Sequence, residues 1–253
     1  MRLGFLLASL LLLGGCRPAA PVAESSPSPS PHPRLQIVTT FAPVYCFTKN
    51  IVGDLADVSM LAAPGQDVPS PADLAALKQA DVVVENGFGF ESWLDRNLSC
   101  LKPGALRIVA GRGIQPLASG TAAADEMSLP VTNPYVWLDP LNAITEVQNI
   151  RDQLMLRDPV HADEFLRREN EYETALRDLD TEIGNTLVDC TRRKLFRTDS
   201  AFDWFLARYE LQSAGDPALP SATLDPMTRA PASADSYETI SRANAAALQK
   251  ALR

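Results

Sequence analysis

The sequence predicts an α/β protein, with a parallel sheet in its first half, one long helix, and a second, thinner α/β part after it. Three observations carry this. Short β-rich runs alternate with helical patterns from Leu35 to Ala110, the signature of parallel βα units. An apolar stripe at helical spacing continues unbroken from Asp158-Pro159 to about Val188. Only 15 residues separate Tyr209 from Asp225, too few for the roughly 30 of a full βαβ unit, so the second part has room for about two strands there.

Leu35 to Thr39 is the first strand, and Phe41 to Gly53 a helix with Val44, Phe47, Ile51 and Val52 inward and Gly53 as its stop. Val58 to Ala62 is the second strand, and Pro64-Gly65 a turn. Ser70-Pro71 starts the next helix as N-cap and first-position proline. Asp81 to Glu85 has the continuous apolar centre of a strand buried on both faces. Glu91 to Leu98 reads as helix and Arg107 to Ala110 as the fourth strand, followed by a featureless loop over 111–131. Gly87-Phe88-Gly89 lacks the third glycine of a dinucleotide fingerprint, since position 92 is Ser, and serves a turn.

Asn133-Pro134-Tyr135-Val136-Trp137-Leu138-Asp139-Pro140 breaks the chain twice with proline and precedes a good amphipathic helix, Leu141 to Leu156. A loop between two lobes, ahead of a helix, is where a cleft-binding protein places a ligand contact. The long helix follows, with Phe165, Tyr172, Leu176, Leu179, Ile183 and Leu187 as its stripe. Its thirty residues imply a rod of roughly 45 Å, long enough to span both lobes. Leu195 to Thr198 is a strand, Ala201 to Tyr209 a helix, Ala222 to Leu224 a short strand, and Ser233 to Leu252 the last helix.

The 253 residues carry a formal net charge of -8, which argues against a nucleic-acid partner and leaves cation binding open. Residues 1–15 form a signal peptide: Arg2, then an apolar run from Leu3 to Leu13 too short to span a bilayer. Leu13-Gly14-Gly15-Cys16 resembles the bacterial lipobox, which makes Cys16 the expected lipidation site and the lipid bilayer a partner. Residues 16–34 are a Pro/Ser-rich tether that cannot bury a core. The chain is expected to be an exported, membrane-anchored lipoprotein facing the periplasm or cell exterior. Cys46, Cys100 and Cys190 allow at most one disulfide, and small buried hydrophobes are the simpler reading. No G-x-S-x-G, H-E-x-x-H or P-loop marks an enzyme.

Several motifs together resemble the zinc- and manganese-binding solute-binding proteins of ABC transporters. They are Ile37-Val38-Thr39-Thr40-Phe41, Pro64-Gly65-Gln66-Asp67, Pro69 to Leu74, Asn86 to Glu91 with Trp93, and Val136 to Pro140. The resemblance runs from about Leu35 to Arg253, with a gap. It implies two lobes joined by one long rigid helix, a metal between the lobes, and delivery to an ABC permease by a monomer. On that basis the chain divides into a lobe at 35–131, an inter-lobe loop and helix at 132–158, a linking helix at 159–189 and a shortened lobe at 190–253.

The family's site holds three histidines and a carboxylate, sound zinc chemistry. This chain departs from it. Gln66-Asp67-Val68-Pro69 runs straight through where the first histidine sits, Tyr135 replaces the second, and Asp199 the third; Asp225 matches the carboxylate. The expected metal contacts are therefore Tyr135, Asp199 and Asp225, an oxygen set suited to hard cations such as Mn, Mg or Ca more than to Zn. Each has a plainer role: Tyr135 packing, Asp199 capping the helix from Ser200, Asp225 capping a turn before Pro226. His32 lies in the tether and His161 in the first turn of the rod. Two functions follow: a divalent-metal carrier (Zn or Mn as cargo) of an ABC uptake system, or a relative that has lost the metal and acts as a surface or adhesion lipoprotein.

Overall fold

The computed structural model describes residues 33–61, 70–117, 132–228 and 233–253, and one compact unit runs from Arg34 to Arg253. The expected signal peptide, Cys16 and tether, the turn expected at Pro64-Gly65 with Gln66 and Asp67, and most of the loop expected before Thr132 lie outside the described residues.

The first sheet is fully parallel, in the order β2-β1-β3-β4, built from β1 (Gln36–Thr39), β2 (Asp57–Met60), β3 (Val82–Glu85) and β4 (Leu106–Val109). Its central strands divide their side chains between two apolar clusters. Ile37, Val82, Val84 and Ile108 face one; Val38 and Val83 face the other with Leu61, Leu77 and Leu94. Both faces are covered, which is why β3 reads as an unbroken apolar run rather than an alternating one.

Helix α1 (Ala42–Val52) ends at Gly53, whose φ of 53° suits glycine, and a Cβ there would sit 2.3 Å from the Arg168 guanidinium. Helix α2 (Pro71–Gln79) has the expected start, with a reciprocal capping box between Ser70 and Asp73. The helix expected over 91–98 is instead two fragments, α3 (Ser92–Asp95) and a 3-10 turn at Leu98–Cys100. Asn97 interrupts it by turning its side-chain amide onto the Trp93 carbonyl.

Helix α4 (Pro140–Arg157) buries Ile144, Val147, Ile150 and Leu154, as its spacing requires. After a 3-10 turn at Pro159–His161 comes α5 (Ala162–Val188), 27 residues or roughly 40 Å long. Its stripe is buried as expected, and it packs on α4, α1 and the last helix α7 (Ser236–Leu252). The stripe also contains Glu169, 1% exposed and paired with Arg151 at 2.6 Å.

The second sheet is a single parallel pair, β5 (Lys194–Phe196) and β6 (Gln212–Ala214), connected through α6 (Asp203–Arg208). Two strands agree with the room available, but one of them is not where the sequence pattern put it. Ala222 to Leu224 is not a strand; Gln212-Ser213-Ala214 is. That run is polar and largely exposed, so it lacks any hydrophobic period, and its pairing with β5 is set by backbone alone. Helix α6 is also shorter than the expected Ala201 to Tyr209. The three cysteines are free: Cys46 and Cys190 buried, Cys100 half-buried. Burial pushes the Cys46 thiol up to about 12, so it stays protonated and unreactive.

Candidate metal site at the loop between the sheets

The loop from Thr132 to Pro140 is the junction of the molecule. Its backbone and side chains are bonded to several other segments. Asn133, 1% exposed, sends its amide to the Ser200 carbonyl at 2.6 Å, while its own carbonyl accepts from Trp204 Nε1 at 3.1 Å. The Pro134 carbonyl accepts from Asn86 Nδ2 at 3.0 Å. Trp137, fully buried, donates from Nε1 to the Pro226 carbonyl at 3.0 Å, and its carbonyl accepts from the Tyr237 hydroxyl at 2.7 Å. Asp139 caps α4 at the Leu141 amide and takes a two-pronged bond from Arg208 at 2.8 Å. Such a paired guanidinium and carboxylate fixes orientation as well as charge.

This loop is bonded to both segments that carry the expected aspartates. Tyr135 lies within it; Asp199 immediately precedes the Ser200 that Asn133 grips; Asp225 immediately precedes the Pro226 that Trp137 grips. The side chains themselves are each engaged locally. The half-buried Tyr135 ring packs on Trp137 at 5.2 Å and on Phe90 at 6.1 Å. Phe90 continues the cluster to Phe41 and Trp137, forming an aromatic floor. The Tyr135 hydroxyl has no hydrogen-bond partner among the described residues.

Asp199 Oδ1 pairs with Arg197 at 2.6 Å and accepts from the Ala201 amide at 3.1 Å. Burial works against its charge, but the Arg197 bond prevails and holds the carboxyl below its ordinary range. The helix it was expected to cap begins only at Asp203, so the bond closes a turn instead. Asp225 is exposed, and its Oδ1 accepts from the Met227 amide at 2.7 Å, the expected turn before and across Pro226. Asn244 on α7 clamps the Asp225 backbone from both sides, at 2.8 Å each. Thr223, Asp225, Thr228 and Asn244 line an open cleft of about 600 Å³.

Sequence reasoning missed Asp203. Burial, with repulsion from Asp199 next, raises its carboxyl above the ordinary range, so a second carboxyl stands close enough to Asp199 to feel its charge. The i, i+4 spacing of the two aspartates was the available signal. Even so, no group of three or more His, Cys, Asp or Glu able to hold a metal stands together among the described residues. His161, expected in the first turn of the rod, lies in the 3-10 turn just before it and is paired with Asp158 at 2.7 Å. That end of α4 and α5 belongs to the opposite pole, since neighbouring Arg157 pairs with Asp81 at the start of β3.

The sequence profile of the ZnuA family, described as zinc-uptake complex component A, periplasmic, matches residues 37–221. The chain is 31% identical over 205 residues to the high-affinity zinc uptake system protein ZnuA of Bacillus subtilis, covering 76% of this chain and 62% of that one. It is 29% identical over 198 residues to the iron-binding protein YfeA of Yersinia pestis, covering 75% and 61%. The SBP FpvC from Pseudomonas aeruginosa, solved in complex with Mn2+, shares the fold at a TM-score of 0.75 and 24% identity, over 87% of this chain and 98% of that one. The chain thus spans about three fifths of the length of the curated relatives it matches.

Proposed function

The chain belongs to the ZnuA family of periplasmic zinc-uptake components, and on that premise we propose that it is a divalent-metal carrier of an ABC uptake system. The observation that carries the reading is the loop from Thr132 to Pro140. It is bonded at once to the turn after β3, to Ser200 and to Pro226, so three oxygen-bearing side chains are carried on segments fixed to one another. A carrier needs this: cargo contacts drawn from separate parts of the chain and no reacting group beside them.

Tyr135, Asp199 and Asp225 are the proposed contacts, with Asp203 as a further carboxyl. Asp199 would exchange part of its bond to Arg197 for the cation, and Asp225 offers Oδ2 while Oδ1 holds its turn. Oxygen donors of this kind suit Mn2+ better than Zn2+, and water completes the shell. An ABC permease is the proposed recipient, and acylated Cys16 the proposed anchor to the membrane of an exported protein. The alternative is a metal-free relative acting as a surface or adhesion lipoprotein.

Calorimetric titration with Mn2+ and with Zn2+ separates the two. The carrier reading expects heat saturating near one equivalent of Mn2+, with affinity at least about tenfold weaker in Asp225→Ala, a loss of about 1.4 kcal/mol. Flat traces for both metals leave the metal-free reading standing.

A further inference from the structure

One carboxylate holds the turn that follows β3. Glu91 is 4% exposed, and its Oε1 accepts from the Thr40 hydroxyl and the Asn86 amide at 2.8 Å each. Its Oε2 accepts from the Gly87 amide at 3.0 Å. The turn needs holding, because φ is 93°, 55° and 76° at Gly87, Phe88 and Gly89. Left-handed backbone is strained at a phenylalanine, whose Cβ crowds the following carbonyl. A Cβ at Gly87 would also stand 2.6 Å from the Val109 side chain, so that position is glycine for space as well.

The turn passes its position on to Tyr135. Asn86 gives its amide N–H to Glu91 and its side-chain amide to the Pro134 carbonyl, one residue before Tyr135. Phe90, next to Glu91 in the chain, lies against Phe41, Trp137 and Tyr135. Glu91, Asn86, Pro134 and Tyr135 are therefore mechanically in series.

A second carboxyl lies behind the first. Glu146 on α4 is 0% exposed, and neither of its oxygens has a hydrogen-bond partner among the described residues. Asn142 Nδ2, one turn earlier on α4, and Asn86 Oδ1 are buried without a partner too. Burial, then the nearby charge of Glu91, raises Glu146 well above the ordinary carboxylate range. Glu91 itself is pushed up to about 7 by burial, against its three donors. The other titratable groups facing the pair are Glu85 on β3, whose charge repels that of Glu91, and Tyr237 on α7, coupled to Glu146. The neighbouring cations are engaged elsewhere, Arg107 with Glu85 and Asp95, Arg208 with Asp139.

We propose that Glu91 is a pH-sensitive positioning residue for Tyr135. As a carboxylate it fixes the series from Asn86 to Tyr135. On taking a proton from solvent at Oε2 it presents an O–H to the Gly87 N–H, two donors face each other, and the turn lets go. Glu146 stays a neutral acid throughout and so leaves Glu91 as the group that titrates. The carboxylate with three donors is the better anion, and the one with none keeps its proton. The consequence for cargo rests on the carrier reading above: acidification through neutrality withdraws the Tyr135 contact.

The test is carbon NMR of the glutamate carboxyl groups in the full chain, with the Gly87 amide followed in parallel, from about pH 5 to about pH 8. One carboxyl resonance, absent in Glu91→Gln, is expected to titrate near neutrality, and the Gly87 amide shift to follow with the same midpoint. Glu146→Gln keeps position 146 neutral and should leave that midpoint within about half a pH unit. A Glu91 carbon titrating near the ordinary value of about 4.3, or a Gly87 amide indifferent to it, overturns the proposal. So does a fall of a full unit in Glu146→Gln, which would mean that Glu146 is charged. These readouts need no metal and, in the parent chain, no substitution. Calorimetry then adds the functional arm: Mn2+ affinity should weaken about tenfold over one unit of acidification in the parent and much less in Glu91→Gln. Absence of Mn2+ binding at any pH removes the carrier reading and leaves the NMR result to decide the switch.

Discussion

The loop from Thr132 to Pro140 is gripped from two sides, and the two grips differ in kind. On the side of the first sheet the holding groups are distant in sequence and mostly buried: Thr40, Asn86 and Glu91, and the rings of Phe41 and the half-buried Phe90, which pack on Trp137 of the loop. On the side of the second sheet the loop is bonded to Ser200, Trp204, Arg208 and Pro226, and the carboxylates beside those bonds, Asp199 and Asp225, are exposed and each bonded only to residues two positions away. The first kind of grip defines a position by packing, where any change of volume is felt. The second defines only a local turn and leaves the carboxylate oxygens near water. A site built this way has one rigid wall and one that can yield to a cation.

The comparison is broken most directly at Trp137. It is fully buried, touches Phe41, Phe90 and Tyr135, and its indole tethers Pro226 on the other side. Trp137→Ala should cost about 3–5 kcal/mol of folding stability, from lost burial and the cavity left behind. Urea unfolding measures it. A loss below about 1.5 kcal/mol would mean that the aromatic floor is not a packed wall, and the contrast between the two sides would go with it.

Glu146 sharpens the contrast, because it is a cost carried by the rigid side. Two buried oxygens without partners are worth about 1–2 kcal/mol against an apolar side chain of similar size. Glu146→Met should therefore stabilise the protein by about that amount at about pH 4.5, and by more at neutral pH. The sign with pH follows from the raised carboxyl: the folded chain binds the proton more tightly than the unfolded one. Stability in the parent thus falls as pH rises from about 4.5, and the advantage of the variant grows over the same range. Parallel unfolding curves at several pH values give both quantities, and an advantage that shrinks with rising pH contradicts the assignment.

Legibility followed the same division. The parallel first half, the long helix and its stripe were readable because most strands and helices there are amphipathic or buried at their own period, and Ser70 with Pro71 announced an N-cap that forms. The loop was readable as a junction from its prolines and aromatics. What failed lay where backbone, not side-chain pattern, decides. Gln212-Ser213-Ala214 pairs with β5 without any apolar period, and Asn97 ends a helix that the pattern would have continued. Glu91 and Glu146 were invisible as a pair, because 55 positions separate them and only the fold makes them face each other. Asp203 was within reach, four residues after Asp199.

The smallest effect on folding is expected on the yielding side, and there it says the most about function. The Asp199 side chain is 58% exposed and its partner Arg197 12%, and with one end of the pair in water the bond is worth about 1 kcal/mol or less. Asp199→Asn keeps an acceptor for the Ala201 amide and removes the charge. Stability should change by less than about 0.5 kcal/mol. Repulsion on Asp203 should ease, bringing that carboxyl back towards its ordinary range. If the carboxylates of this wall receive a cation, the same substitution should weaken Mn2+ binding about tenfold while the unfolding curve barely moves, since a metal held by hard oxygens depends on their charge. If instead stability falls by more than about 1.5 kcal/mol, Asp199 is part of the frame, and the division between a fixed wall and a yielding one must be redrawn around it.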